Sequence, residues 1–341
     1  MKIIIVGAYK SELHEYALFI KLLERNYKAY KLKYNSFNNI WKKLSSIPLF
    51  KNFIQDLFFD LNEKKILKKI KDVIPDILFF YRSNIFSKNF IKNLKNKYPK
   101  IKIVFYNNDN AFSNLYKKGY WDNYLYNCKF VDYILAYRKS DIQKYNNCSN
   151  AQILYYPPYI SDILRDFEFN INSKRKDICF IGHYENDERL DYLVSLLSNN
   201  LPIKLYGPKS GWNRAILKYK KGFKFLPVKK IKYKSYVKKI SNLLIGICFL
   251  SKLNKDTITR RCFELPYSGV CMVSEYNDEL ASIFEEDKEA VYFRNKSEFI
   301  RKVNYLYKNP SIATNIGLAG RQKCMKLDIY CDHRVDLIEK L

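Results

Sequence analysis

The run Ile3-Ile4-Ile5-Val6 is wholly apolar, stops at Gly7, and passes into a segment whose apolar residues Leu13, Ala17, Ile20 and Leu23 recur at helical spacing. A strand with no polar face has to be covered on both sides, so this unit predicts a buried parallel strand followed by an amphipathic helix. The same unit returns at Ile77-Leu78-Phe79-Phe80, at Ile101-Lys102-Ile103-Val104-Phe105 and at Tyr133-Ile134-Leu135-Ala136. Four of them predict a doubly wound parallel sheet. The pattern breaks around Tyr155-Tyr156-Pro157-Pro158-Tyr159, and the stretch to Lys176 is polar and charged, as a linker would be. A second series then opens with Ile178-Cys179-Phe180-Ile181-Gly182 and continues through apolar runs at 203–207, 243–250, 270–274 and 290–293.

The expected architecture is therefore α/β, with two Rossmann-like, doubly wound domains facing a cleft. Residues 1–170 form the first, residues 171–330 the second, and residues 331–341 a closing helix. Two domains also suit a chain of 341 residues. In open parallel sheets ligands gather at the C-terminal ends of the strands. Gly7, Asn107-Asn108-Asp109-Asn110, Gly182-His183, Gly207-Pro208 and Asn254-Lys255-Asp256 occupy those ends.

Charge and cysteine usage narrow the partners. The net charge is +27, with 29 Lys and Arg against 15 Asp and Glu up to residue 170 and 32 against 19 beyond it. Such an even split between halves speaks against an RNA-binding face, which needs its cations gathered with exposed aromatics. Richness in Lys, Asn, Ile, Tyr and Phe also fits A/T-rich coding, and attraction to phosphorylated ligands or an anionic membrane surface is the other reading. The eight cysteines sit singly, several inside apolar runs (Cys179, Cys248, Cys271), as small hydrophobes in a reducing compartment do. Residues 243–250 are too few to span a bilayer, and the expected location is cytoplasmic, at most peripheral on a membrane.

Missing motifs exclude several chemistries. A single glycine in the first loop is no dinucleotide fingerprint, and no Gly-x-x-x-x-Gly-Lys-Ser/Thr occurs. Without an Asp-x-Asp pair, a bound diphosphate would be met by protein cations and helix ends, with no metal and no further cofactor.

Thr259-Arg260-Arg261-Cys262-Phe263-Glu264 leads into the apolar segment 270–274, placing two guanidinium groups and a carboxylate on a short helix. Arginines clamp phosphate oxygens, a carboxylate accepts from a ribose diol, and the helix start offers N–H donors. The alternative is a solvated face with Glu264 paired to Arg260. Gly182-His183 with Arg189 reads either as a phosphate-binding turn or as a tight βα turn bearing a surface arginine. Tyr206-Gly207, with Trp212 nearby, suits stacking on a base. Asp109 is the candidate general base, or else an Asx turn; His14 is a second catalytic candidate, or else surface. Residues 47–61 read as a membrane-facing patch or a core helix.

These stretches together resemble the CgeB-like glycosyltransferases of the "glycosyl transferases group 1" type, which adopt the GT-B fold. The stretches concerned are Ile178-Cys179-Phe180-Ile181-Gly182 with Arg189, Leu205-Tyr206-Gly207 with Gly211-Trp212, Arg261-Cys262-Phe263-Glu264, and Ala319-Gly320-Arg321. The resemblance spans residues 177–341 and extends to the first domain only in outline. It implies sugar transfer from a nucleotide sugar held by the second domain to a glycan or lipid-linked acceptor, as in surface polysaccharide synthesis. By the same resemblance Glu264 contacts the donor ribose, Arg261 lies near the pyrophosphate, and Asp256 stands eight residues before Glu264 as Asp-x7-Glu. A protein of this shape that binds a nucleotide sugar or glycan without transferring it is the alternative.

Overall fold

The computed structural model describes residues 1–10, 14–35, 51–82, 84–169 and 175–341. Contacts divide the chain into two compact units.

The first unit holds Met1–Pro157 together with Cys331–Leu341. Its sheet contains β1 (Lys2–Gly7), β2 (Lys28–Lys33), β3 (Ile77–Tyr81), β4 (Lys102–Asn107), β5 (Tyr133–Ala136) and β6 (Gln152–Tyr155), in the order β2-β1-β3-β4-β5-β6. Every neighbouring pair is parallel. Each of the four runs expected as strands is one, and β2 and β6 add an edge on either side. Composition hid β2, which is Lys-Ala-Tyr-Lys-Leu-Lys, with lysines exposed along an edge that needs protection from foreign strands; β6 is only four residues long. Helices α1 (Glu15–Glu24), α2 (Lys51–Val73), α3 (Phe90–Lys97), α4 (Asp122–Asn127) and α5 (Lys139–Asn146) fill the connections. The stretch 47–50 lies outside the described residues; within α2, Phe58 and Phe59 are buried in the core while Phe53 is exposed.

The second unit, Pro158–Tyr330, starts earlier than the expected boundary at residue 170. The reason is apolar: Ile160 and Leu164, the latter on the short helix α6 (Asp162–Arg165), are buried in this unit's core. Its sheet contains β7 (Asp177–Ile181), β8 (Ile203–Tyr206), β9 (Leu243–Cys248), β10 (Cys271–Glu275) and β11 (Val291–Phe293), all parallel, in the order β11-β10-β9-β7-β8. The helices are α7 (Arg189–Ser198), α8 (Lys209–Ile216), α9 (Tyr233–Ile240), α10 (Arg261–Tyr267), α11 (Asp278–Ala281), α12 (Lys296–Lys308) and α13 (Pro310–Cys324). All five runs of the second series are strands.

The last helix, α14 (Cys331–Glu339), packs on α1 in the first unit. Arg25 at the end of α1 pairs with Asp332, Asp336 and Glu339. No helix among the described residues is long and apolar enough to cross a membrane.

Near the end of β11 one charged cluster makes stability depend on pH. Arg294 grips Glu286 through both oxygens at 3.0 and 2.8 Å, Lys302 adds a contact at 2.8 Å, and these hydrogen bonds hold the carboxyl at about 2 instead of 4.5. A folded-state value below the unfolded one stabilises above the unfolded pKa and fades as pH falls toward the folded one. Glu286→Gln is therefore expected to cost about 1 kcal/mol at neutral pH, discounted for solvent screening, and the difference should vanish between pH ~4.5 and ~2. Urea melts of both proteins across that range provide the check; a gap that persists at low pH contradicts it.

Candidate functional site

In the second sheet the strand order reverses at β7, which lies between β8 and β9. The loops after β7 and β9 therefore border the crevice where α/β proteins place their ligands. Both loops are tied to Arg189, a buried residue at the start of α7. Its guanidinium donates to Asp187 through Nε at 2.8 Å and Nη2 at 2.7 Å, to the His183 carbonyl at 2.9 Å, and to the Leu250 carbonyl at 3.3 Å. Glu185 lies 3.2 Å away and also accepts from the Leu253 amide. Four of the five guanidinium N–H groups are thus engaged within the protein. The expected phosphate contact for Arg189 gives way to a structural role: it fastens the β7 loop to the β9 loop. Beside this knot, Asp187, Arg189, Phe249, Lys252 and Glu275 line a cavity of about 160 Å³.

The two glycines answer to packing as well. A Cβ on Gly207 would sit 2.1 Å from the Gly182 carbonyl oxygen and 2.7 Å from Trp212 Nε1, and one on Gly182 would meet the Phe180 ring at 2.5 Å. Trp212 Nε1 donates to that same carbonyl at 3.0 Å, and the Gly182 amide donates to the Tyr206 carbonyl at 2.9 Å. Gly207 is accordingly required by the approach of the Gly182 carbonyl and the buried Trp212, and Gly182 by the Phe180 ring. The Lys239 ammonium lies 5.3 Å from the centre of the half-buried Tyr206 ring. His183 is exposed in the β7 loop.

The stretch around α10 is built differently. Gly246 in β9 lets Leu265 lie directly on the strand, since a Cβ there would come within 2.6 Å of Leu265 Cδ2. At the far end Arg175 donates to the carbonyls of Ser268 and Gly269, and Arg321 to that of Tyr267, capping the helix with cations. A helix held at this depth buries Glu264, which is only 3% exposed. One carboxylate oxygen, Oε2, accepts from Tyr236 Oη of α9 at 2.6 Å. The other, Oε1, has no hydrogen-bond partner and lies 3.9 Å from Arg260 Nε. Arg261 Nε is likewise buried without a hydrogen-bond acceptor, and its guanidinium stands 5.6 Å from the Tyr236 ring centre.

Below them the thiols of Cys248 and Cys262 lie 3.7 Å apart, with Thr259 Oγ1 3.9 and 3.7 Å away. Hydrogen bonding with Cys248, together with burial, pushes the Cys262 thiol well up. Asp256 lies in the turn that joins β9 to α10, closed by its own amide on the Ser251 carbonyl at 2.9 Å. The N–H donors expected at the start of α10 are engaged: the amides of Cys262, Phe263 and Glu264 donate to the carbonyls of Thr259 and Arg260. A turn precedes the helix and takes them up, so any anion here would be met by the arginine side chains.

In the first unit Asp109 follows β4, and Arg82 follows β3 with a left-handed φ of 52°. Arg82 Nη2 donates to Asp109 Oδ2 at 2.8 Å, and Asn107 Oδ1 accepts from the Asp109 amide at 3.1 Å. The Asx turn here is thus closed by the Asn107 side chain, and the Asp109 carboxylate is held by Arg82 at the strand ends. The His14 ring lies 6.1 Å from that of Tyr81 at the end of β3. Neither Tyr236 nor Arg82 was expected in these roles. Arg82 was findable as the residue following an apolar strand; Tyr236, one of 30 tyrosines, carries no local signal. Among the described residues no group of three or more His, Cys, Asp or Glu side chains is placed to hold a metal ion.

Comparisons with solved structures define the class. Sucrose-phosphate synthase from Thermosynechococcus elongatus matches all of this chain and 98% of its own at a TM-score of 0.69 and 8% identity. Anabaena HepE in complex with UDP-glucose matches at 0.66 and 8% identity over the whole of both chains. A glycosyltransferase from Rickettsia africae matches at 0.61 and 13% identity, over 99% of this chain and 97% of its own. The fold is GT-B. A family model described as glycosyl transferase-like matches residues 189–340. No curated protein sequence matches the chain.

Proposed function

We propose that the protein transfers a sugar from a nucleoside-diphosphate sugar to a hydroxyl of a glycan or lipid-linked acceptor, without a metal ion, in the synthesis of a surface polysaccharide or glycoconjugate. The observation that carries this reading is the buried Glu264 Oε1 with no hydrogen-bond partner, on a helix that also buries an unpartnered Arg261 Nε. Such groups are costly to leave unpaired, and a ribose hydroxyl and a phosphate oxygen would complete them. The match of the same segment to the glycosyl transferase-like family model supports the assignment.

Departure of the nucleoside diphosphate builds negative charge on its β-phosphate. Arg260 and Arg261, fixed in place beforehand, would stabilise that charge. On the acceptor side Asp109 is the proposed base, oriented by Arg82, with His14 as the second candidate. The Arg82–Asp109 ion pair also favours the other reading, a protein that binds a nucleotide sugar or glycan without transfer, because that carboxylate is already engaged within the protein.

The test is a melting series with UDP, GDP, ADP, CDP and dTDP, against the natural protein and an Arg261→Ala/Glu264→Ala variant. UDP heads the panel because HepE holds UDP-glucose. One diphosphate at a hundredfold excess over its Kd should stabilise the natural protein by about 3 kcal/mol and leave the variant unmoved. Transfer to acceptor that persists in EDTA then supports the metal-free reaction, and loss of transfer in EDTA overturns it. Stabilisation without turnover on any acceptor moves the binding-only reading forward, and no stabilisation at all removes the donor site.

A further inference from the structure

Between Asp191 and Asp256 the chain carries no acidic residue: residues 192–255 hold 15 Lys and Arg and no Asp or Glu. The rest of the chain beyond residue 170 has the remaining 17 Lys and Arg against 19 Asp and Glu. Evenness between halves therefore conceals one concentrated source of positive charge. Coding bias scatters lysine along a sequence; it does not empty 64 consecutive residues of carboxylates.

The centre of this run is the connection from α8 to α9. Lys218, Lys220, Lys221, Lys224, Lys229 and Lys230 are exposed there, and no ion pair joins any of them to another described residue. Two large apolar side chains stand among them, Leu217 at 63% and Phe223 at 51% exposure. Their neighbours Ile216 and Phe225 are buried in the core, so folding had apolar positions available and left these two outside. The connection is fixed in shape: the Gly222 amide donates to the Tyr219 carbonyl at 2.8 Å, Leu226 to Phe223 at 3.0 Å, and Val228 to Asn213 Oδ1 at 3.3 Å.

We infer that this face docks on an anionic lipid bilayer. Lysines unopposed by carboxylates meet the headgroup phosphates, while Leu217 and Phe223 enter the boundary of the acyl chains. A nucleic acid would satisfy the lysines equally, but a bare leucine beside one phenylalanine offers hydrocarbon to lipid and little stacking surface to bases. The inference stands independently of the transferase reading, because docking is measured with neither donor nor acceptor present.

The experiment is flotation of the full chain with vesicles of phosphatidylglycerol and phosphatidylcholine in about equal parts, and with phosphatidylcholine alone. The natural protein is expected to float with the anionic vesicles only, and to be released as salt rises. Lys218→Gln/Lys220→Gln/Lys221→Gln/Lys224→Gln should weaken partition about a hundredfold. Leu217→Ser/Phe223→Ser should weaken it about tenfold while keeping the salt dependence. Urea midpoints equal to the natural protein's establish that both variants fold. The inference is overturned if the natural protein stays with the aqueous phase or if either folded variant floats as well as the natural protein. A single-stranded oligonucleotide bound more tightly than the vesicles, or self-association lost in Leu217→Ser/Phe223→Ser, overturns it in favour of a different partner.

Discussion

Glu264→Gln is expected to lower kcat/KM for the donor by about a hundredfold while leaving the fold intact. Glutamine keeps an oxygen for Tyr236 Oη, so the buried hydrogen bond from α9 to α10 survives. Lost is the charge on the oxygen that has no hydrogen-bond partner in the protein, with the Arg260 guanidinium 3.9 Å away, and hydrogen bonds from a ribose to a charged acceptor are worth about 1.5–3 kcal/mol. Steady-state kinetics with saturating acceptor, beside a urea melt, separate the two effects. Unchanged kinetics in a folded variant would mean that Glu264 serves only to hold Tyr236, and the donor site would have to be sought elsewhere.

Arg189→Met is expected to act in the opposite way, destabilising the second unit by about 3 kcal/mol or more, because Asp187 and Glu185 would be left facing each other without their cation. Two loops would lose their tie at once, since the same guanidinium holds the His183 and Leu250 carbonyls. Denaturant unfolding measures the loss. Should the variant instead keep its stability and fail to bind nucleoside diphosphate, the phosphate contact expected from sequence would be restored and the structural role withdrawn.

Arg189 shows why the fold was more legible than the site. A buried strand announces itself through a run of mostly apolar residues, and nine of the eleven strands were read from one; β2 is half lysine, and β6 is a four-residue edge strand that is only partly buried. Ligand contacts have no comparable signature. An arginine after a strand and a glycine looks the same whether it meets a phosphate or Asp187 two residues earlier, and the nearby acids Glu185 and Asp187 were the available hint. Gly207 looks the same whether a ligand or Trp212 requires its missing side chain. Glu264 was singled out as a carboxylate on a short helix, and its partner Tyr236 lies 28 residues away, a distance over which no local pattern extends.

The return of α14 to the first unit gives the molecule an unusual order of assembly. The second unit is contiguous, whereas the first is interrupted at Pro157 and resumed only at Cys331. A ribosome delivers the chain from the N-terminus at roughly 5–20 residues per second, and domains fold as units once all their parts are available. Strands β1 to β6 therefore wait through the synthesis of an entire inserted domain before Arg25 can meet Asp332, Asp336 and Glu339. The inserted unit is synthesised in full before Cys331–Leu341 can join the unit that the first strands began.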